Sequence, residues 1–85
     1  MKHSASRDFW KFLESLPPSV QHLARKNFDL LKADPGHPSL HFKKIGRMRS
    51  VRIGLRHRAL GVESSEGILW FWIGTHADYD RIVSE

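Results

Sequence analysis

His76 and Tyr79 stand three residues apart, just past the oily run ILWFWI (Ile68 to Ile73), where the segment WFWIGTHADYDR turns from apolar to polar at Gly74. Thr75 followed by Asp78 matches a capping box, in which each side chain bonds the other's backbone amide; the spacing therefore predicts a short helix that begins at His76. On such a helix His76 and Tyr79 are i, i+3 neighbours on one face. A first-turn histidine sits at the positive end of the helix dipole, and a neutral imidazole can take a proton as a general base must. The same spacing fits a purely architectural role, with Tyr79 packed on Trp70 or Trp72 and His76 a polar first-turn residue.

A second feature is electrostatic. No Asp or Glu occurs between Pro35 and Val62, yet that window holds Lys43, Lys44, Arg47, Arg49, Arg52, Arg56 and Arg58, half of the 14 lysines and arginines, within a chain of net charge +5. Cations gathered without a counter-ion repel one another unless something answers them. The clustering favours a polyanionic partner, a phosphate-bearing substrate or an acidic protein over a solvated basic face.

Other chemistries have less support. His37 and His41 lie four apart, but Pro38 between them removes the helical spacing a metal pair needs, and no cysteine or carboxylate is near, so no metal site is expected. The six glycines are scattered and form no phosphate loop, Ser64-Ser65 has no base beside it, and no cofactor is expected. Trp70 and Trp72 alternate on one face of the last strand by simple parity, suited to core or interface packing more than to stacking on bases.

The elements that must position these residues follow from periodicity. Phe9, Phe12, Leu13 and Leu16 mark one helical face, with Ser6 as N-cap and Asp8 in the first turn. Pro17-Pro18 ends that helix and opens a second, lined by Val20, Leu23, Ala24, Phe28 and Leu31 and closed by DPGHP after Ala33. Two helices so closely joined should pack as an antiparallel hairpin. SVRIGL then alternates with period two, RALGVE follows a short connection, and ILWFWIG follows the turn SSEG. SLHFKKI reads as a further strand or an extended lead-in, and the side on which Arg58 falls stays open. The expected architecture is α+β: a helical hairpin on one face of a small antiparallel sheet, Arg52 and its neighbours on the other, and a short C-terminal helical turn.

At 85 residues the chain has room for one domain, spanning 1–85, and one modest core. It has no cysteine, which excludes disulfides and thiolate sites and fits a reducing compartment. MKHSASRDFW does not read as a secretory signal and ILWFWI is too short to cross a bilayer, so a cytoplasmic protein with no membrane partner is expected.

Taken together and in order, HPSLHFKK, SVRIG, RALGV and WIGTHADYDR resemble the RelE/ParE superfamily of toxins from bacterial type II toxin–antitoxin systems, over nearly everything from Phe9 to Ile82. The resemblance implies a compact toxin neutralised by a cognate antitoxin in a toxin–antitoxin hetero-oligomer. RelE-like members are metal-independent ribonucleases that cut mRNA, often on the ribosome and so inhibiting translation, whereas ParE-like members poison DNA gyrase; an inactive relative keeping only antitoxin binding is a third possibility. By position it implies catalytic roles for Arg58, Arg52, His76 and Tyr79, and RNA-backbone contacts for Lys43 and Lys44, to which Arg47, Arg49 and Arg56 of the same window are added. Two departures stand out: MKHSAS looks too short and polar for the strand that usually precedes the helices, and His76 stands where some relatives carry arginine.

Overall fold

The computed structural model describes residues 2–84. In chain order they form β1 (Lys2–Ala5), α1 (Arg7–Glu14), α2 (Pro18–Ala33), a 3₁₀ turn (Pro38–Leu40), β2 (Lys43–Ile45), β3 (Met48–Ile53), β4 (His57–Ser64), β5 (Gly67–Thr75) and α3 (His76–Val83). The helix starts follow their local chemistry. Ser6 Oγ accepts the Phe9 amide at 3.2 Å, closing an orphan donor of α1. Pro18 opens α2, where its missing N–H costs nothing. The Gln21 side-chain amide donates to the Leu16 carbonyl at 2.8 Å and ties the connection. The two helices meet where Phe9 and Phe28 pack edge to face, ring centres 5.6 Å apart.

The five strands lie in the order β1-β5-β4-β3-β2, with β1 parallel to β5 and the other pairs antiparallel. One face carries Val51, Ile53, Ala59, Ile73 and Trp70, which pack with Phe9, Leu13, Ala24 and Leu31 of the helices into the main core. The other face carries Ser50, Arg52 and Arg58, with Leu60 fully buried where α3 packs on the sheet. The predicted C-terminal turn is thus a full two-turn helix, and it covers the face opposite the hairpin.

Three expectations need correction. Residues Lys2–Ala5 do form the leading strand, paired in register from Lys2↔Gly67 to Ala5↔Trp70. A four-residue polar strand has no apolar alternation of its own; its stability comes from β5 and from His3, whose Nδ1 accepts the Trp70 indole N–H at 3.0 Å. Gly67 makes room for it: at φ +145° its backbone suits glycine alone, and a Cβ there would collide with the Lys2 carbonyl.

The second correction concerns the tryptophans. The register jumps between Leu60↔Trp72 and Gly61↔Trp70, so Phe71 is the extra residue of a β-bulge and the two indoles fall on opposite faces. Trp70 enters the main core, where a Cβ on Gly61 would meet its ring at 2.9 Å, while Trp72 lies 6.5 Å from the exposed Phe12.

The third concerns charge. The basic window is not without a counter-ion, because Glu63, one residue past Val62, reaches Arg49 at 2.8 Å and Lys44 at 3.6 Å. The hydrogen bond from Arg49, with both cations near, holds the Glu63 carboxyl below the usual carboxylate range. Among the described residues no helix is long and apolar enough to cross a membrane.

Candidate active site

The positively charged residues divide by strand parity. Arg52 on β3 pairs directly with Arg58 on β4, and Lys43 on β2 pairs with Ser50, so these side chains share the face opposite the hairpin. Lys44 and Arg49 point the other way and are held by Glu63, with Arg49 also 5.3 Å from the Phe42 ring. Arg47 and Arg56 are exposed on the β2–β3 and β3–β4 turns. The window therefore supplies one convergent group of three cations, not seven.

Arg58 is the centre of that group. It is 4% exposed, yet no carboxylate lies within ion-pair distance among the described residues. Its Nε donates to Ser50 Oγ at 3.1 Å, its Nη2 to the His41 carbonyl at 3.4 Å, and its Cζ sits 4.9 Å from the Tyr79 ring centre. Every partner is neutral. A guanidinium keeps its charge when buried, so a site like this draws an anion. Arg52 is half-buried beside it, donating from Nε to the Gly54 carbonyl at 2.9 Å and lying 3.4 Å from His41 Nε2 through Nη1. Lys43 reaches the same Tyr79 ring, its Nζ 6.0 Å from the centre.

The last strand delivers the other groups. Thr75 Oγ1 accepts the Asp78 amide at 3.2 Å and starts α3; Asp78 turns to Arg81, so the cap is one-sided. The His76 backbone N–H donates to the Arg56 carbonyl at 2.7 Å, which pins the helix start to the β3–β4 turn. His76 and Tyr79 have ring centres 5.8 Å apart. Tyr79 is 3% exposed, and its hydroxyl finds no hydrogen-bond partner among the described residues. It is a buried spacer between Arg58 and His76, touching neither Trp70 nor Trp72 in the ring contacts it makes.

Two groups escaped the sequence reading. Asp80 places Oδ2 3.1 Å from His76 Nδ1; the i, i+4 spacing on a helix was the available signal. Held this way, Nδ1 carries the proton and Nε2 is left free. Ser50 supports Arg58, and its parity with Arg52 pointed there. His37 uses Nδ1 to accept the Ser39 amide at 3.2 Å, and no cluster of three or more metal-ligating side chains exists among the described residues. A surface cavity of about 550 Å³ lies on the hairpin side between β1, α1 and α2, lined by His3, Trp10, Arg25, Phe28, Lys32 and Trp70 among others. It shares no residue with the Arg58 group; the convergence of cations and an imidazole, not cavity size, locates the candidate chemistry.

No protein-family model matches the sequence, and no curated protein does. Solved structures do match in shape. The RelB–RelE antitoxin–toxin complex from Methanococcus jannaschii superposes with a TM-score of 0.70 at 16% identity, over 92% of this chain and 96% of that one. The archaeal RelE–RelB complex from Pyrococcus horikoshii gives 0.65 at 16% identity over 87% and 92%, and the isolated E. coli RelE toxin 0.63 at 11% over 96% and 94%. The chain has the fold of RelE toxins.

Proposed function

We propose that this protein is the toxin of a type II toxin–antitoxin pair and acts as a metal-independent endoribonuclease on mRNA. The observation that carries the reading is the meeting, on one face, of a buried arginine with no carboxylate partner among the described residues, two further cations and an imidazole oriented by a carboxylate. RNA cleavage by attack of a 2′-hydroxyl on its own 3′-phosphate needs this set. The nucleophile is already tethered to the phosphate, so proximity is supplied by the substrate. What the protein adds is positive charge for the dianionic phosphorane and groups that move protons.

Arg58 supplies fixed charge from within the surface, where a cation acts more strongly than in water. Arg52, half-buried, offers a planar donor pair suited to phosphate, and exposed Lys43 adds a point charge. His76 transfers a proton through Nε2, oriented by Asp80. Tyr79, being buried, holds Arg58 and His76 in register and takes no proton itself. Arg47 and Arg56 on the turns extend the basic rim for the RNA backbone. Lys44 and Arg49 contribute there only when Glu63 releases them.

The partner is a cognate antitoxin, as in the two archaeal complexes of the same fold. An acidic segment laid over Lys43, Arg52 and the rim would neutralise the charge that RNA requires. Charge reversal of exposed members tests this: Lys43→Glu with Arg47→Glu should abolish antitoxin capture, and unchanged affinity would remove this face from the interface. The nuclease activity is tested by mapping new mRNA 5′ ends in a translating extract; mRNA left intact by the folded protein would favour a gyrase poison or an inactive relative.

A further inference from the structure

We propose that His41 is the second proton-transfer residue of the site, working with His76 across Arg58. The inference rests on the ribonuclease reading above. In that reaction the 2′-O–P bond forms as the P–O5′ bond breaks, giving a 2′,3′-cyclic phosphate and a 5′-hydroxyl. The nucleophile loses a proton and the leaving oxygen gains one. One imidazole takes the first and another gives the second, so the step balances with no outside reactant. Tyr79, buried and without a hydrogen-bond partner among the described residues, is not placed to meet a substrate. The site is one proton group short.

His41 stands where that group is needed. Its side is exposed, its Nε2 lies 3.4 Å from Arg52 Nη1, and its carbonyl accepts from Arg58 Nη2 at 3.4 Å. One residue thus touches both arginines. A guanidinium only donates, so the Nε2 facing it carries a lone pair. At 3.4 Å that contact is long, and a substrate can replace it. The backbone of His41 is left-handed at φ 42°, ψ 46°, and it is the one non-glycine residue with positive φ among those described. Ending the 3₁₀ turn in this way aims its carbonyl at Arg58 and its ring at Arg52, in a left-handed conformation that is uncommon for residues other than glycine and that histidine enters more readily than most.

The placement across the sheet also fits. His41 joins the site from the β3 side through Arg52, His76 stands at the end of β5, and Arg58 on β4 lies between. In-line displacement puts the attacking and leaving oxygens on opposite sides of phosphorus, and two imidazoles flanking the phosphate-holding cation serve those two sides.

The experiment compares the full chain with His41→Asn and His76→Ala on purified ribosomes programmed with a synthetic mRNA. Asparagine enters the left-handed region readily, so His41→Asn keeps the turn and the carbonyl on Arg58. Each variant should lose about a hundredfold or more in kcat with KM little changed. Replacing the leaving 5′-oxygen by sulfur, which departs without a proton, should restore one variant and not the other. His41→Asn cleaving within about threefold of wild type, or sulfur restoring both variants or neither, overturns the proposal while the ribonuclease reading stands. Wild-type protein that cleaves nothing overturns that reading and the proposal with it.

Discussion

Arg58 and Tyr79 form a buried cation–π pair: Cζ is 4.9 Å from the ring centre, and the two residues are 4% and 3% exposed. The pair links the sheet to α3 and therefore fixes the distance between the Arg58 guanidinium and His76. It also leaves the tyrosine hydroxyl buried without a hydrogen bond among the described residues. Tyr79→Phe removes that desolvated group and keeps the ring, so urea unfolding should show stability unchanged or higher by roughly 1 kcal/mol. Tyr79→Ala should cost about 3–5 kcal/mol through the cavity it leaves. A Tyr79→Phe protein that is clearly less stable would mean that the hydroxyl has a partner after all.

The leading strand should loosen in acid. Burial, with Lys32 nearby, holds His3 below the ordinary histidine value of 6.5, and the Trp70 indole N–H requires a lone pair on His3 Nδ1. The unfolded chain protonates near 6.5, so just below that pH it binds more protons than the folded one. Stability should be full above 6.5, fall as pH drops through the window beneath it, and level off once the folded histidine is also charged. His57, lowered by burial and Arg56, adds in the same direction. Urea midpoints read from tryptophan fluorescence should show the slope, and His3→Phe should reduce it. A slope unchanged by His3→Phe would assign the effect elsewhere.

Gly67 should be intolerant of any side chain. A Cβ at this position meets the Lys2 carbonyl, and φ +145° is strained for other residues. Gly67→Ala should destabilise by more than about 1 kcal/mol, with hydrogen exchange accelerating first in Lys2–Ala5. Protection of β1 equal to that of wild type would contradict the close approach.

Glu63 should act as a brake on nucleic-acid binding. It neutralises Arg49 and Lys44, two cations on the face away from Arg58. Glu63→Gln should leave stability nearly untouched, since the pair is exposed. It should tighten nonspecific RNA binding and steepen its salt dependence. Filter binding between low and moderate salt measures both, and identical slopes would place these cations outside the RNA path.

Much of this molecule was legible from local chemistry. Ser6, Pro18 and Thr75 mark helix starts because caps act within a few residues, and β3 shows its alternation because one face is core. What escaped depends on partners far along the chain. β1 is held by residues more than sixty positions away and carries no pattern of its own. The bulge at Phe71 exists only in the register between β4 and β5, so parity counted along β5 put Trp70 and Trp72 together when they are apart. The basic window read as seven equivalent cations, whereas Glu63 withdraws two and the turns hold two more. The face on which Arg58 lies became definite only with its pairing to Arg52.

The most direct test of the central claim is to add the purified protein to a translating extract and map mRNA 5′ ends, beside a folded His76→Ala control. New internal ends should appear with wild type, and their rate of appearance should fall about a hundredfold or more with the variant. Intact mRNA, or equal cleavage by His76→Ala, would contradict it.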